Sequence, residues 1–210
     1  MIIGIPIYDK VDLLDVAAPY ELFNLMKQFT KVKTEVYLIA ETAKPVATRA
    51  GLVMKPQKIF KAVPQLDVLW VPGGDPSALN KLMHNTPHTY LKFLINAARH
   101  AGIVASVCEG ALLLAAAGLL DGYEATTHWA FIPCLKKFKR VKVVEGYPRF
   151  VVDRNRVTGG GISSGLDEAL KLVEMLSSYE VAQQVQQFTQ YYPCPPVASV
   201  IPPPGKCPLD

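Results

Sequence analysis

The chain of 210 residues is half hydrophobic and carries a net charge of +4. This length and composition fit one large α/β domain with a substantial core. The only basic patch, residues 136–140, lacks the aromatic platform or helix-turn-helix pattern of a nucleic-acid site, and no apolar run reaches the ~18 residues of a membrane span. We therefore expect neither a nucleic-acid nor a membrane partner.

The first residues are apolar but carry no positively charged leader, so they predict a first strand rather than a signal peptide. The four cysteines lie far apart, without metal-ligand spacing or the density of a disulfide scaffold. These features predict a cytoplasmic protein in a reducing compartment. We assign no chemistry to the two cysteines near the C-terminal end, Cys194 and Cys207.

Hydrophobic periodicity and turn residues divide the chain into short strands and helices. Strands are predicted at residues 2–8, 34–40, 68–72, 123–127, 141–145, 149–153 and 156–158. Helices are predicted at residues 19–26, 87–101, 130–137, 166–176 and 178–190, with a loop at 9–15. Residues 1–190 are expected to form the domain. Residues 191–210 contain seven prolines and predict an extended tail over the domain or a partner subunit.

The stretch most informative about function is residues 103–120, where an apolar β-branched run passes through Cys-Glu-Gly into an Ala/Leu-rich run. This pattern predicts a strand, a sharp turn and a helix, with Cys108 at the turn. Such a turn presents a side chain above the carboxyl edge of a sheet. The helix N-terminus is expected to lower the pKa of a thiol there. Cys108 is thus a candidate nucleophile, and the alternative is a buried structural cysteine.

Asp15 and the Gly73-Gly74 pair follow other predicted strands. In an open parallel sheet the loops after the strands gather at one edge, so we expect both near Cys108. Asp15 has the alternative role of a helix cap. The glycine pair predicts a turn whose backbone N–H groups point at a ligand, although many such pairs are only turns.

His128 follows a predicted strand and is a candidate base, acid or hydrogen-bond donor, because imidazole titrates near neutrality. A histidine beside a tryptophan, here Trp129, is as often a packed residue. Three glycines at 159–161 precede a predicted helix. Their spacing matches neither a dinucleotide-binding fingerprint nor a P-loop, so no nucleotide site is predicted.

Five motifs together resemble the DJ-1/PfpI superfamily. They are Leu-Leu-Asp-Val-Ala-Ala-Pro-Tyr-Glu-Leu-Phe at 13–23, Val-Pro-Gly-Gly at 71–74, Val-Cys-Glu-Gly-Ala at 107–111, Ala-Thr-Thr-His-Trp at 125–129 and Thr-Gly-Gly-Gly-Ile-Ser-Ser-Gly-Leu-Asp at 158–167. The ending at 190–197 resembles the Tyr-x-Pro-x-Pro-Pro tail of the isonitrile hydratase branch. The resemblance covers nearly the whole chain.

The resemblance implies a flavodoxin-like three-layer α/β/α sandwich with a mostly parallel sheet, usually a homodimer, and a small-molecule substrate. In isonitrile hydratases the cysteine is the nucleophile and an aspartate hydrogen-bonds to it, and Cys108 and Asp15 match these positions. Those enzymes place a threonine after the cysteine, whereas this chain has Glu109. A carboxylate there is expected to raise the pKa of the thiol unless it is protonated or points away.

The implied reaction converts an isonitrile to an N-substituted formamide through a Cys108 thioimidate, with Asp15 as the acid and Glu109 as a further ionisable group. Backbone N–H groups of Gly74 and Glu109 are candidates for anion stabilisation. The candidate substrate-binding residues are Gly73, Gly74, His128, Trp129 and Ile162. No metal or organic cofactor is predicted.

Three alternatives remain open. The same cysteine could hydrate 2-oxoaldehydes in the manner of glyoxalase III, which usually needs a histidine near the thiol, and only His128 is placed to serve. A thiol of low pKa could instead be a redox sensor, with a nearby carboxyl group stabilising the oxidised sulfur. Domains of this kind also precede helix-turn-helix regions in transcriptional regulators. No DNA-binding segment follows here, so a direct regulator is not expected.

Overall fold

The computed structural model describes residues 1–210 and contains eleven β-strands and seven α-helices. The strands are β1 (Ile2–Pro6), β2 (Glu35–Ala40), β3 (Val46–Ala47), β4 (Val53–Met54), β5 (Lys58–Ile59), β6 (Val68–Val71), β7 (Ile103–Ser106), β8 (Glu124–Ala125), β9 (Lys142–Val143), β10 (Phe150–Asp153) and β11 (Arg156–Gly159). The helices are α1 (Leu13–Phe29), α2 (Pro76–His84), α3 (Thr89–Ala98), α4 (Gly110–Ala116), α5 (Ile132–Leu135), α6 (Ser164–Leu176) and α7 (Tyr179–Thr189). A short 3₁₀ helix, Trp129–Phe131, precedes α5. None of the helices has the length and apolar character that crossing a membrane requires.

Seven strands form one sheet in the order β10-β11-β7-β6-β1-β2-β5. All neighbouring pairs are parallel except β10 and β11, which run antiparallel at one end. Helices α1, α6 and α7 pack together in one layer, and α2, α3 and α4 pack together in another. This arrangement confirms the predicted flavodoxin-like α/β/α sandwich with a mostly parallel sheet.

The central strands β1, β6 and β7 are almost wholly buried, because helices cover the sheet. Their apolar side chains belong to a core of 49 buried residues. Since β6 and β7 are parallel, their carboxyl ends meet, and Val71 lies opposite Ser106. The segments that follow these strands, residues 72–75 and 107–109, therefore emerge side by side at one edge of the sheet.

Helix α1 is fixed to β6 by a side chain of that strand. Pro19 lies inside α1 and has no N–H, so it cannot donate to the Asp15 carbonyl four residues earlier. The buried indole Nε1 of Trp70 donates to that carbonyl instead, at 2.9 Å. Trp70 also contacts Phe23 edge to face. The first turn of α1 is thus held over the carboxyl end of β6.

The first helix begins six residues earlier than predicted. Asp15 lies in the first turn of α1, not in a loop before the helix. The predicted start at Pro19 assumed that proline belongs in a first turn, whereas Trp70 supplies the hydrogen bond that an internal proline removes. Helix α2 is an element that the sequence did not predict, and the Asp75 side chain caps it by accepting the Ser77 N–H at 2.9 Å.

Two predicted strands lie outside the main sheet. The strands predicted at 123–127 and 141–145 shorten to β8 and β9, which pair only with each other in a parallel ladder. The helix predicted at 130–137 shortens to the 3₁₀ turn and α5. This region packs beside β10 and β11, so it widens the fold beyond the end of the sheet.

The cysteines correct one expectation. Cys134 in α5 and Cys207 in the tail form a disulfide, although 73 residues separate them. Their sequence spacing could not reveal this pair, because the tail must first return across the domain to α5. Cys207 is buried, and Lys137 forms an ion pair with Asp210 nearby. The tail lacks regular secondary structure, as predicted, and its last residues are attached to the domain.

We expect Gly110→Ala to destabilise the fold. Gly110 begins α4 directly against the end of β6, where a Cβ would collide with the carbonyl group of Val71. Because both partners are backbone, the free energy of unfolding should fall by about 1–3 kcal/mol. Urea denaturation followed by circular dichroism measures this change. The matched control is Gly102→Ala, whose Cβ would make only an ordinary contact with Asp67. Equal stability of the two variants would contradict the prediction.

Candidate active site

Cys108 occupies the turn between β7 and α4. Its φ of 52° lies in the left-handed region, which residues with a Cβ rarely adopt. The Cys108 N–H donates to the Gly160 carbonyl at 2.9 Å, and the Thr127 hydroxyl donates to the Cys108 carbonyl at 2.7 Å. Strain of about 1–3 kcal/mol at such a residue persists only where its surroundings hold it. Here the hydrogen bonds of the two peptide groups that flank the Cys108 Cα supply that support.

The Cys108 thiol lies among three carboxyl groups, those of Asp12, Asp15 and Glu109, and we call these four residues the acid cluster. One ligand atom from each residue lies within 4.8 Å of all the others, and all four residues are buried. The Gly73 N–H donates to Asp15 Oδ2 at 2.9 Å. Asp15 Oδ1 and Glu109 Oε2 have no hydrogen-bond partner. Atoms this close can share protons or bind a cation.

The structure overturns the predicted acidity of the thiol. Burial, and then the charges of Asp15 and Glu109, raise the pKa of Cys108 well above its usual value. The helix N-terminus was expected to lower this pKa, whereas a charged Glu109 was expected to raise it, as it does here. Cys108 is instead fully buried, and α4 has only seven residues. The loss of water therefore outweighs the helix dipole, and the resting thiol is protonated at neutral pH.

Burial also raises the pKa of each carboxyl group of the acid cluster. Burial raises the pKa of Asp15 well above its usual value, and the charge of Glu109 raises it further. Burial raises the pKa of Glu109 from 4.5 to about 7. The opposing cation is Arg49, in the turn between β3 and β4, whose Nη1 lies 3.8 Å from Asp12 Oδ1. The raised pKa of Asp15 favours its protonated form, which its predicted role as an acid requires.

The glycine pair serves the acid cluster rather than an open ligand site. Gly73 uses its N–H for Asp15, and a Cβ at this position would collide with the Glu109 carboxylate. The Gly74 backbone interacts with the Glu109 carboxyl group and lowers its pKa. Gly74 also pairs with Val11 in an isolated antiparallel bridge. The two glycines thus let β6 end in close contact with the cysteine turn.

A cavity of about 380 Å³ adjoins the cysteine turn. Three predicted binding residues lie together in its wall, namely His128, Trp129 and Ile162. Cys108 itself does not line the cavity, but Thr127 and Gly160, which hydrogen-bond to its backbone, do. The other lining residues are Leu14, Tyr147, Pro148, Arg149, Gly161, Ser163, Ser164 and Ile201.

His128 belongs to the cavity wall and not to the acid cluster. Its Nδ1 accepts the Ala130 N–H at 3.3 Å, and its ring packs against Gly161 and tilts against Trp129. Burial, followed by the charge of Arg49, lowers the pKa of His128. The imidazole is therefore neutral, and it shares no hydrogen bond with Cys108.

Sequence analysis missed two buried acids. Asp12 completes the acid cluster, and its position three residues before Asp15, one helical turn away, could have indicated it. Glu168 is fully buried in α6, and neither of its carboxylate oxygens has a hydrogen-bond partner. Burial raises its pKa well above the usual value, and the charge of Asp15 contributes. A glutamate beside Ala169 and four residues before Leu172 lies on the apolar face of the helix, which was the available sign.

The chain matches a known protein family. Residues 5–175 match the DJ-1/PfpI family. The chain therefore belongs to the DJ-1/PfpI family, as the sequence motifs indicated. An isonitrile hydratase from Pseudomonas putida is 38% identical over 197 residues, which span 94% of this chain and 81% of the relative.

Solved structures agree with this assignment. A ThiJ/PfpI family protein from Pseudomonas syringae is 33% identical, with a TM-score of 0.83 over 93% of this chain and 77% of the other. DJ-1beta from Drosophila melanogaster has a TM-score of 0.76 at 18% identity, over 90% of this chain and 97% of its own. The second likeness shows the shared fold.

The titration of Glu109 should make stability depend on pH. The pKa of Glu109 is about 7 in the folded protein and 4.5 in an unperturbed glutamate, which represents the unfolded state. Between pH 4.5 and pH 7 the unfolded state therefore binds fewer protons, and stability falls as the pH rises through this range. This increase in the pKa of Glu109 on folding corresponds to a loss of stability of roughly 3 kcal/mol at most, since each tenfold change in proton affinity is about 1.4 kcal/mol. In urea denaturation at pH 5 and pH 8, Glu109→Gln should lose less stability at the higher pH than wild type.

The control for this measurement is Glu21→Gln, which changes an exposed glutamate on α1. It should keep the wild-type difference between pH 5 and pH 8. Asp15 and Glu168 also have raised pKa values and contribute a slope of the same sign in every variant. An unchanged slope in Glu109→Gln would show that Glu109 does not titrate in this range.

Proposed function

We propose that this chain is a cysteine-dependent, isonitrile hydratase-like lyase that converts an isonitrile to an N-substituted formamide. The observation that carries the proposal is the close approach of the Cys108 thiol to the Asp15 carboxyl group in the acid cluster. The similarity to an isonitrile hydratase supports the choice of substrate class. The proposed catalytic residues are Cys108, Asp15 and Glu109.

In the first step, the Cys108 thiol transfers its proton to a carboxylate of the acid cluster. Asp15 donates a proton to the terminal carbon of the isonitrile, and the sulfur bonds to the same carbon. The product is a thioimidate, R–N=CH–S–Cys108. Sulfur and one proton have been added across a single carbon, so the step balances without an electron donor or acceptor.

In the second step, water hydrolyses the thioimidate. A carboxylate of the acid cluster takes a proton from water while the oxygen adds to the thioimidate carbon. The C–S bond breaks, the nitrogen is protonated, and the N-substituted formamide leaves as the thiol regains its proton. The same buried groups can serve both steps, because each proton taken in one step is returned in the other.

Glu109 is the proposed acceptor of the thiol proton. Its pKa of about 7 means that ionised and neutral forms coexist at physiological pH, while burial and the charge of Glu109 favour the protonated form of Asp15. We therefore assign the acid role to Asp15 and the base role to Glu109. The substituent R would lie in the cavity beside His128, Trp129 and Ile162. We also retain the predictions of a homodimer and no cofactor, and of a cytoplasmic location, in which the Cys134–Cys207 disulfide would have to resist reduction.

Two observations weigh against the alternative functions. The raised pKa of Cys108 slows its reaction with peroxide, because the thiolate is the form that is oxidised and no carboxylate of the cluster is needed to take its proton in a sensor. The 2-oxoaldehyde reaction needs a histidine near the thiol, and His128 instead accepts a hydrogen bond from the Ala130 backbone. If isonitrile turnover is absent, 2-oxoaldehyde conversion and oxidation of Cys108 are the next reactions to assay.

The first test is turnover of cyclohexyl isocyanide, followed by formamide formation. Cys108→Ala should abolish turnover because it removes the nucleophile. Asp15→Asn should lower kcat by about 10²- to 10⁴-fold, the usual contribution of a general acid. Cys194→Ala changes the other free cysteine, which is exposed, and should retain full activity. No formamide from folded wild-type protein would exclude the proposed reaction.

The role of Glu109 predicts a pH profile. Wild-type kcat/KM should rise with pH through about 7, as Glu109 ionises and becomes able to accept the thiol proton. Glu109→Gln should lose this inflection and have low activity throughout. Glu21→Gln, on the exposed face of α1, should keep the wild-type profile. An inflection near pH 7 that survives in Glu109→Gln would assign the base to another group.

A further inference from the structure

The tail reaches the cavity beside the acid cluster. Most of residues 191–210 are exposed, yet Ile201 is one of the residues that line the cavity. Leu14, Trp129 and Ile162 contribute the other large apolar side chains of this wall. Ile201 remains 53% exposed. It therefore lies between the interior of the cavity and solvent, at the rim.

The tail is attached to the domain on the C-terminal side of Ile201. Six residues further along, Cys207 is bonded to Cys134 in α5, and it is only 6% exposed. Helix α5 directly follows the 3₁₀ turn that contains Trp129, which is itself part of the cavity wall. The disulfide thus attaches the tail to the same local structure that forms the cavity.

The tail is also attached on its N-terminal side. The Tyr191 hydroxyl donates to Asp167 at 3.1 Å, and Gln186 Nε2 donates to the Tyr191 carbonyl at 3.1 Å. Three prolines, residues 202–204, follow Ile201 directly and restrict the backbone to extended conformations. A segment held at both ends and stiffened beside Ile201 keeps that side chain in place without secondary structure of its own.

We propose that Ile201 is a specificity-determining residue, held at the rim of the cavity by the Cys134–Cys207 disulfide, which limits the bulk of the substrate's apolar substituent. Its neighbour Val200 is 87% exposed and does not line the cavity. The position of Ile201, and not the apolar character of the tail in general, is therefore what restricts entry. The substrate class rests on the proposed function, whereas the restriction of access to Cys108 does not.

The test compares two reagents that alkylate Cys108, iodoacetamide and the bulkier N-benzyl iodoacetamide, by mass spectrometry of the Cys108 peptide. All proteins carry Cys194→Ala, which removes the other free thiol. The variants are Ile201→Ala, the Cys134→Ala/Cys207→Ala pair, and Val200→Ala as the matched control. Circular dichroism establishes that each variant is folded. Ile201→Ala alters an exposed tail residue, so it keeps the test decisive if the disulfide-free pair fails to fold.

In Ile201→Ala, we expect the rate of alkylation by N-benzyl iodoacetamide, relative to that by iodoacetamide, to rise by about threefold or more. A closed apolar pocket would give roughly tenfold, and the effect is smaller here because the Ile201 side chain is half exposed at the rim. The disulfide-free pair should show a rise of the same sign, and Val200→Ala should match the parent protein. If turnover of isonitriles is observed, Ile201→Ala should also lower KM for branched substituents more than KM for small ones.

An Ile201→Ala ratio equal to that of Val200→Ala would overturn the proposal. So would the absence of reaction with either reagent in every variant, because another barrier would then control access. A rise in Ile201→Ala but not in the disulfide-free pair would overturn the role of the disulfide. Alkylation needs no isonitrile, so these results stand apart from the outcome of the formamide assay.

Discussion

A hydrogen bond between the Trp70 indole and the Asp15 carbonyl, at 2.9 Å, fixes the geometry of the candidate site. It replaces the bond that Pro19 cannot make, so α1 continues through a proline and its first turn stays over β6. The Asp15 side chain then accepts the Gly73 N–H at the end of that strand. One core residue thereby sets the distance between the carboxyl group and the cysteine turn. Removing it would leave a buried carbonyl without a partner.

The chemistry of the site follows from the exclusion of water. Four ionisable groups lie buried together with one partly exposed arginine beside them, so burial raises the pKa of each of them. Groups with raised pKa values that lie this close can pass a proton from one to the next with little separation of charge in a medium of low dielectric constant. This property favours addition of a thiol proton and sulfur to one carbon over chemistry that begins from a free, solvated thiolate.

Much of the fold was predictable, because parallel strands bring the segments that follow them to a shared edge. This rule placed Cys108, Gly73 and Asp15 together, although Asp15 proved to be helical. The acidity of the thiol was not predictable, because its pKa depends on burial rather than on the neighbouring sequence. The disulfide of Cys134 was equally hidden, since it depends on the path of a tail with no periodic pattern. The motifs indicated which residues lie close together, but not that water is excluded from around them.

The turn between β3 and β4 gives the site a link to the protein surface. Arg49 lies in this turn, its N–H donates to the Val11 carbonyl at 2.9 Å, and its charge lowers the pKa of both Asp12 and Glu109. Leu52 and Val53, beside it in the same hairpin, are largely exposed. A displacement of this hairpin that withdraws Arg49 would make the buried acids weaker. The pKa values of Asp12 and Glu109 therefore depend on the position of the exposed β3–β4 hairpin.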